Sequence, residues 1–448
     1  MTDMSVGLLL VLLGFANYAA TSDIPLPTPP QLEWSSWELG ALVTYNMATY
    51  VAGDGCEFPG KGVPPPSLFS PSKINTDQWA AAFQAFGAKY AVLVAKHNCG
   101  FALWPSKVHF PEFKFVYNYT VAQSKSPDND IVESFVKSCR SHGIQPGFYY
   151  SVVTNYYLNV HGGEVQTSHL MPGMANVTQD QYLQIVSAQL TELWSQYGQL
   201  GEVWFDGGYQ HDIKGNLTSM LEKLQPNATA FNGQGVSKNA IRWIGTEAGR
   251  APDPNWSTGE SGGGDSDSSV WCPAECDTTL QNHDRWFYSS SEGIRSLDEL
   301  IDVYHQTVGH NGNLLLDFSP DTNGLIPDNH IARYKELGDF IRTCYGKPIN
   351  ATKGVGPVLT IMINPPTTID RIVLQEDQSQ GQRVRTYNVS ISTMSGLSAS
   401  TVNGTSIGNK KIDLLPAPVQ KVNKVEFRGI TGIGTPILNH FGVYYCAG

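Results

Sequence analysis

Short apolar runs alternate with amphipathic segments along most of the chain, and this rhythm predicts strands that are each followed by a helix. Residues 90–97 (YAVLVAKH) are almost continuously apolar, as expected for a parallel strand buried on both faces. Further strands are predicted at 41–46, 144–152, 203–206, 242–247 and 313–319, and helices at 76–87, 130–143, 178–198 and 328–343. The alternation predicts an α/β fold, a (β/α)8-like (TIM) barrel, with an open doubly wound sheet as its competitor.

The pattern changes after Cys344. Residues 346–357 contain several glycines and prolines and are predicted to form a linker. The short alternating runs that follow are typical of a small antiparallel β-sandwich, and they lie at 358–363, 371–374, 384–391 and 422–427. We therefore predict a barrel domain over residues 23–345 and a C-terminal β-sandwich over residues 346–448.

The beginning of the chain resembles a targeting signal. Residues 7–15 (GLLLVLLGF) are apolar but too short to span a bilayer, so residues 1–22 are predicted to be a secretory signal peptide. Eight Asn-x-Ser/Thr sequons support this prediction: Asn118, Asn176, Asn216, Asn227, Asn255, Asn350, Asn388 and Asn403. We expect a secreted, extracellular glycoprotein without membrane association once the signal is removed. Delivery to a vacuole or lysosome is the alternative.

Composition and charge limit the kinds of molecule that the protein is expected to bind. Of the 448 residues, 11% are aromatic and only 15% are charged, which is typical of a well-packed enzyme or of a surface that faces carbohydrate. The formal net charge is -11, and no cluster of Lys and Arg could follow a phosphate backbone. Nucleic acid is therefore excluded as an expected partner.

Seven cysteines leave at least one thiol unpaired in an oxidising compartment. Cys139 lies in a predicted helix and is expected to be a buried core thiol. Cys344 and Cys446 flank the C-terminal region and are candidates for a disulfide. Cys272 and Cys276 could form half of a metal site, but a disulfide is favoured because no second ligand pair with metal spacing is present. We therefore expect no metal ion.

Two predicted strands end on carboxylates. Asp206 follows the apolar run VWF and precedes two glycines, and Glu247 follows RWIGT. Barrel enzymes carry their catalytic residues at the carboxyl ends of the strands, and two such carboxyl groups can hydrolyse a glycosidic bond. A single Asp-Gly at a strand end is more often a turn, so the hypothesis depends on the pair.

Other strand ends and loops provide groups that suit a sugar. Sugar binding requires polar groups for the hydroxyls and flat apolar faces for the C–H side of the ring. The candidates for hydroxyls are Thr44, Asn46, His97 and Asn98, and the candidates for stacking are Trp204 and Trp256, with Trp104 and Trp271 as alternatives.

Several motifs resemble the α-L-fucosidases of glycoside hydrolase family 29. The segment 96–106 (KHNCGFALWPS) resembles the family motif Lys-His-His-Asp-Gly-Phe-x-Leu-Trp, and EVWFDG at 202–207 resembles the family's nucleophile strand. RWIGTEAG at 242–249 is similar to the acid/base strand of the plant-like or fungal-like branch. PAECD at 273–277 and VGHNGNLLLDFSPDTNGLIPD at 308–328 also look like the family. The motifs occur in the family's order over residues 26–343.

This resemblance implies a retaining exo-α-L-fucosidase that removes terminal α-L-fucose from fucosylated oligosaccharides or glycoconjugates by double displacement. Asp206 is implied to be the nucleophile and Glu247 the acid/base, with Glu275 as the rival acid/base. Such carboxyl groups lie about 5–5.5 Å apart in retaining enzymes. The alternatives for Glu275 are a contact beyond the fucose subsite or an ion pair with Arg285. The resemblance implies no cofactor.

The chain departs from the family pattern at two places. Thr44-Tyr45-Asn46 stands where the family usually has His-Phe-Gly, and Asn98-Cys99 replaces the second His and the Asp of the His-His-Asp motif. The pocket therefore has two imidazoles fewer than the family pattern. Two alternatives follow, namely a catalytically weak, lectin-like protein that binds fucosides, and a retaining hydrolase of a related sugar such as L-galactose.

Overall fold

The computed structural model describes residues 17–18, 24–51, 53, 55–56, 62–168, 170–394 and 398–446. The predicted signal peptide, residues 1–22, lies outside these ranges except for Asn17–Tyr18, which pair in parallel with Thr431 and Gly432. Within the same ranges, no helix combines the length and apolar character needed to cross a membrane.

Eight parallel strands close into a barrel in which each strand pairs with its neighbours in sequence. They are β1 Leu39–Val43, β2 Tyr90–Lys96, β3 Gln145–Tyr150, β4 Glu202–Trp204, β5 Thr229–Phe231, β6 Ala240–Trp243, β7 Ala274–Thr278 and β8 Gly312–Phe318. The last strand, β8, pairs with β1, which closes the ring. The predicted barrel is confirmed, and the open doubly wound sheet is wrong.

Helices surround most of the barrel. Those of the described residues are α1 Pro29–Trp37, α2 Thr76–Phe86, α3 Ile131–Ser141, α4 Gln179–Gln196, α5 Lys214–Leu224, α6 Leu297–Thr307 and α7 Asp328–Tyr345. Helix α1 precedes the barrel and the others follow β1, β2, β3, β4, β7 and β8. The described links after β5 and β6 contain no helix, so the barrel is (β/α)8-like with two helices replaced by loops.

Short elements lie in the loops that follow barrel strands β1 to β4, and one lies in the C-terminal region. Single turns of 3-10 helix occur at Met47–Tyr50, Pro66–Leu68, Pro111–Phe113, Val121–Gln123, Tyr156–Leu158, His211–Ile213 and Gln378–Gln380. Two-residue strands pair as His109–Phe110 with Phe115–Val116, and as Val160–His161 with Glu164–Val165.

Local sequence signals explain where the helices begin and end. A capping box starts α4, because Thr178 accepts from the Gln181 backbone while the Gln181 side chain accepts from the Thr178 backbone. Helix α2 begins after Asn75, whose side chain accepts two backbone N–H groups. It ends at Gly87, where φ is +104°, a conformation that glycine adopts without strain.

The C-terminal region is an antiparallel sheet in which the strand order is β9-β14-β10-β13-β11-β12. The strands are β9 Asn350–Val355, β10 Val358–Glu376, β11 Val384–Thr393, β12 Ser398–Gly404, β13 Lys411–Gly432 and β14 Ile437–Tyr444. The two longest strands, β10 and β13, change register several times along their pairing. Residues from both halves of β10, such as Ile361 and Ile372, share one apolar core. The predicted second, antiparallel domain is confirmed.

Two details of that prediction are wrong. The predicted linker over 346–357 contains the edge strand β9, which pairs with β14. The runs at 358–363 and 371–374 belong to one continuous strand, β10, because the β-bulges between them bend the strand without ending it.

The sheet is attached to the barrel by apolar contacts and by a disulfide. Val373, Ile412 and Tyr444 of the sheet belong to the same apolar cluster as the barrel core. Cys344 of α7 is bonded to Cys446, which confirms the predicted disulfide.

We expect the double substitution Cys344→Ser/Cys446→Ser to lower the free energy of unfolding by about 2–4 kcal/mol. The physical reason is that the cross-link restricts the unfolded chain over a sequence separation of 102 residues. Chemical denaturation followed by tryptophan fluorescence measures the effect. Under reducing conditions that open the disulfide, wild type and variant should unfold together, and a persistent gap would contradict the explanation.

The states of the other cysteines differ from expectation at one pair, Cys272 and Cys276. Cys139 is a buried free thiol as predicted, but Cys272 and Cys276 are buried free thiols as well, so the disulfide favoured for them is wrong. Cys276 lies on β7 and packs with Ile244 and Ala251. A second disulfide joins Cys56 to Cys99, which the sequence did not predict.

Candidate active site

A cavity of about 260 Å³ opens at the carboxyl ends of the barrel strands. Its size is slightly below the range of about 300–1,000 Å³ that is typical of sites for drug-sized ligands, and so suits a single sugar ring. It is lined by Leu42, Thr44, Gly55, Val94, His97, Asn98, Tyr149, Trp204, Asp206, Glu247, Asp277, Trp286 and Phe287. The cavity therefore combines carboxyl groups, amide and imidazole groups, and flat aromatic faces.

Asp206 follows β4 and is held from the neighbouring strand. The hydroxyl of Tyr149 on β3 donates to Asp206 Oδ2 over 2.5 Å. Burial raises the pKa of Asp206, while the Tyr149 hydrogen bond and the charge of Lys96 act in the opposite direction. The arrangement supports an ionised carboxylate in a mostly apolar wall.

Lys96 is a fully buried cation close to this carboxylate. Its Nζ donates to the carbonyl oxygens of Ser151 and Thr154, in the loop that follows β3. Burial lowers the pKa of Lys96 to about 7, and the charge of Asp206 opposes this decrease. Lys96 therefore ties β2 to the segment next to Tyr149 and supplies positive potential near Asp206.

Glu247 lies at the solvent side of the cavity, in the loop after β6. Strand β6 ends at Trp243, so Glu247 is four residues beyond the strand and exposed, not at its last position as expected. Trp286 Nε1 donates to Glu247 Oε2 over 3.1 Å. The structure thus places the two predicted catalytic carboxyl groups on the same cavity, one in its wall and one at its solvent side.

Glu275, the rival acid/base, does not line the cavity. It is fully buried on β7, where Tyr90 Oη donates to Oε1 over 2.6 Å and Trp204 Nε1 donates to Oε2 over 2.9 Å. The predicted ion pair with Arg285 is wrong, because Glu275 is in the barrel interior whereas the Arg285 Nε donates to the carbonyl oxygen of Phe287.

Glu275 shares this interior layer with a second acid, Glu202 of β4. Burial raises the pKa of both acids, and the proximity of Glu275 raises that of Glu202 further. The hydrogen bonds that Glu275 makes with Tyr90, Trp204 and Glu202 oppose the effect of burial, and its pKa is about 7. Trp34 Nε1 donates to Glu202 over 2.8 Å. Gly40 makes room for the layer, since a Cβ at this position would lie 2.3 Å from the Tyr90 ring. This layer holds the Trp204 indole from the barrel interior, and its two carboxyl groups do not line the cavity.

Three of the four residues predicted to bind hydroxyls line the cavity. The Nδ1 of His97 and the Oδ1 of Asn98 are buried and have no partner within the described part of the chain. Burial and the nearby Lys96 lower the pKa of His97 to about 3, so its imidazole is neutral at physiological pH. The Thr44 hydroxyl lies 2.6 Å from Asp317 Oδ1 and 2.8 Å from the Trp286 carbonyl oxygen, so its proton is already used.

Asn46 and Trp256 lie outside the cavity, contrary to expectation. Asn46 is fully buried, and its amide nitrogen donates to the carbonyl oxygens of Val94 and Phe101 while its oxygen accepts from Met47. It therefore organises the loop after β1 and does not face a ligand. The Trp256 ring is covered by the guanidinium of Arg385, 4.8 Å from its centre.

Trp204 is in the predicted place. Its ring lines the cavity and is stacked between Phe231, with 4.0 Å between ring centres, and Tyr149, with 5.1 Å. Because Glu275 holds its indole nitrogen and the two neighbouring rings stack on it, the Trp204 ring has one fixed orientation in the cavity wall.

The sequence did not reveal Tyr149, Asp277, Trp286 and Phe287 as site residues. Tyr149 lies in an apolar strand, and Asp277 lies in a motif that was singled out for Glu275. Period-two alternation along β7 was the available signal, since it places Asp277 on the same face as Glu275, one layer higher. No comparable signal points to the loop that carries Trp286 and Phe287.

Within the described residues, no group of three or more His, Cys, Asp or Glu side chains could hold a metal ion. The sequence-based candidates Cys272 and Cys276 are both buried thiols, in strand and loop positions that do not form such a group.

Comparison with known proteins assigns the chain to a family. The sequence profile described as Alpha-L-fucosidase matches residues 25–346, which include all eight barrel strands. The chain belongs to the alpha-L-fucosidase family. The prediction of a glycoside hydrolase of family 29, made from motifs alone, is confirmed at this level.

The similarity between this chain and its relatives extends beyond the barrel domain. Alpha-L-fucosidase 1 of Arabidopsis thaliana is 25% identical over 94% of this chain and 88% of its own length. The crystal structure of a proposed alpha-L-fucosidase from Bacteroides thetaiotaomicron has a TM-score of 0.82 and 29% identity, and the match covers 95% of this chain and 100% of that one. A glycoside hydrolase 29 family member from a rumen bacterium has a TM-score of 0.78 and 27% identity, over 95% and 78% of the two chains.

Proposed function

We propose that this protein is a retaining exo-α-L-fucosidase that hydrolyses terminal α-L-fucose from fucosylated oligosaccharides or glycoconjugates. The observation that carries the proposal is that Asp206 and Glu247 line one cavity at the carboxyl ends of the barrel strands, beside the stacked ring of Trp204. The family to which the chain belongs supports the choice of sugar.

The proposed mechanism proceeds by double displacement. The Asp206 carboxylate attacks the anomeric carbon while the Glu247 carboxyl gives its proton to the leaving glycosidic oxygen, which produces a covalent fucosyl-enzyme. Glu247, now a carboxylate, then takes a proton from water as the water oxygen attacks the anomeric carbon. The bond to Asp206 breaks, and fucose leaves with its original anomeric configuration.

The surroundings of the two carboxyl groups fit these roles. Asp206 must be ionised to attack, and both the Tyr149 hydrogen bond and the charge of Lys96 favour its ionised form. Glu247 must exchange protons with leaving group and water, and its exposed position in the β6–β7 loop gives it access to both. The neutral His97 and the amide of Asn98 offer free polar atoms for sugar hydroxyls.

Tyr149→Phe is expected to shift the acidic limb of the kcat/KM profile to higher pH by about 1 unit, since a lost hydrogen bond to a carboxylate costs about 1–1.5 kcal/mol. Without the hydroxyl, the ionised form of Asp206 is less stable and its pKa rises further. The matched control is Tyr150→Phe, because the Tyr150 hydroxyl donates to Gln189 and not to Asp206. An unchanged acidic limb in Tyr149→Phe would contradict the assignment.

The experiment that tests the proposed function compares 4-nitrophenyl α-L-fucoside with the matching α-L-galactoside, using the mature protein. Faster release from the fucoside, with the α-anomer as first product in an NMR time course, supports the proposal. Preference for the galactoside would favour the L-galactose alternative. Binding of fucose by a folded protein that cleaves neither substrate would favour the lectin-like alternative.

We also propose that the protein is secreted, with a vacuole or lysosome as the alternative destination. Two disulfides support passage through an oxidising compartment. Six of the eight sequon asparagines are exposed, whereas Asn388 is half-buried and Asn255 is fully buried, with its side chain bonded to Arg242. In a eukaryotic host, peptide-N-glycosidase treatment of the medium fraction should lower the apparent mass. A protein that stays unglycosylated inside the cell would overturn the proposal.

A further inference from the structure

Asp277 is a carboxyl group of the cavity that the proposed mechanism does not use. It lies near the end of β7, and its side chain lines the cavity together with Asp206 and Glu247. Only 4% of the residue is exposed to solvent. Along the strand, Glu275 lies below it in the barrel interior and Cys276 faces outward.

One oxygen of Asp277 is fixed by the barrel and the other is open to a ligand. Trp243 Nε1 on β6 donates to Asp277 Oδ1 over 2.7 Å, which sets the orientation of the carboxyl plane. The carboxyl group also accepts from its own backbone N–H, and in the described part of the chain no other residue bonds to Oδ2. Because Oδ1 is fixed and the side chain lines the cavity, Oδ2 is the atom of Asp277 that a ligand in the cavity can contact.

The surroundings of Asp277 favour its neutral form. Burial raises the pKa of Asp277 to about 8, and the neighbouring acids Glu275 and Glu247 add to the increase. The titratable groups around the cavity are Glu275 on β7, Glu247 after β6, Asp206 after β4, Tyr149 on β3, Lys96 and His97 at the end of β2, and Asp317 on β8. At neutral pH the side chain is thus a hydroxyl donor and not an anion beside Asp206.

Besides the side chains of His97 and Asn98, which keep unpartnered polar atoms, the donors in the described cavity wall are already used within the protein. The Thr44 hydroxyl is used by Asp317 and Trp286, and the Tyr149 hydroxyl is used by Asp206. The Trp204 indole N–H is used by Glu275. A sugar hydroxyl that needs a donor in this wall can therefore find one in Asp277.

We propose that Asp277, in its neutral form, donates a hydrogen bond to a hydroxyl of the sugar bound in the cavity and is a determinant of sugar binding. This inference rests on the proposed function, because it requires that the cavity holds the fucose ring. It assigns no proton transfer to Asp277 in the chemical steps.

The experiment is isothermal titration of L-fucose into wild type, Asp277→Asn and Asp277→Ala, at pH 6 and pH 9. The Asn side chain keeps a neutral donor of nearly the same shape, whereas Ala removes it. Asp212→Asn is the matched control, since Asp212 is an exposed carboxylate in the loop after β4. Thermal unfolding of each variant establishes that it is folded.

At pH 6, Asp277→Ala should bind L-fucose about tenfold more weakly than wild type, and Asp277→Asn within about threefold of it. At pH 9, wild type should weaken by about tenfold as Asp277 loses its proton, whereas Asp277→Asn should not share this loss. Lys96 also titrates in this interval, but it is common to both proteins, so the difference between them isolates Asp277.

Two results would overturn the inference. One is equal binding by Asp277→Ala and wild type at pH 6, and the other is an identical pH response in wild type and Asp277→Asn. The wild-type titration separates this failure from that of the proposed function. If wild type binds L-fucose and the Asp277 variants bind it equally well, only the role of Asp277 is overturned. If wild type does not bind L-fucose at either pH, both the role of Asp277 and the proposed function are overturned.

Discussion

Asp206→Asn should reduce kcat/KM for an aryl α-L-fucoside by at least about 10³-fold, because the amide cannot form the covalent intermediate. The substitution is nearly isosteric, and the amide can still accept the hydrogen bond from Tyr149. Burial disfavours the charge of Asp206, so the neutral variant should be at least as stable as wild type to thermal unfolding.

The control for this variant is Asp212→Asn, which removes an exposed carboxylate from the same β4 loop region. It should retain wild-type kcat/KM. A rate for Asp206→Asn within tenfold of wild type, in a preparation free of other fucosidases, would show that Asp206 is not the nucleophile. Trapping of the intermediate with a 2-fluoro-fucosyl substrate and mass spectrometry of the labelled peptide would then locate the residue that is.

Glu247→Ala should lower kcat by about 10²-fold or more, and azide should restore turnover of 4-nitrophenyl α-L-fucoside. The aryl leaving group departs without a proton, so the fucosyl-enzyme still forms but hydrolyses slowly without a base. Azide needs no base and attacks the intermediate directly, which releases α-L-fucosyl azide. The exposed position of Glu247 leaves room for azide after truncation to Ala.

The matched variant is Glu275→Gln, in the layer beneath Trp204. Since Glu275 bonds to Tyr90 and Trp204 and does not line the cavity, its effect should not respond to azide. We expect a modest loss of activity that follows any loss of stability. Azide rescue of Glu275→Gln, without rescue of Glu247→Ala, would reverse the assignment of the acid/base.

The sequence predicted the barrel because its signals are local. Apolar runs such as the one at 90–97 can be satisfied only by burial on both faces, and helices such as α4 carry their own capping residues. The same logic located Asp206, since a carboxylate directly after a buried apolar strand must emerge at the barrel rim. The family motifs added Glu247, although the strand ends four residues before it.

The misplaced residues have partners far away in the sequence. Trp256 is covered by Arg385 from the C-terminal sheet, and Asn46 is bound by backbone carbonyls of β2 and of the loop after it. A Trp or Asn has the same appearance in a sequence whether it faces a ligand or another part of the chain. The expectation that both bind sugar failed for this reason.

The sequence by itself determined the class of fold, the antiparallel second domain and the two carboxyl groups that meet at one cavity. Only the tertiary structure decided which side chains face that cavity. Inward and outward positions depend on how eight strands are registered around a ring, so Glu275 is buried below Trp204 while Asp277, two residues later, lines the cavity. The protonation of these acids was likewise decided by folding, because burial and the proximity of other carboxyl groups exist only in the assembled barrel.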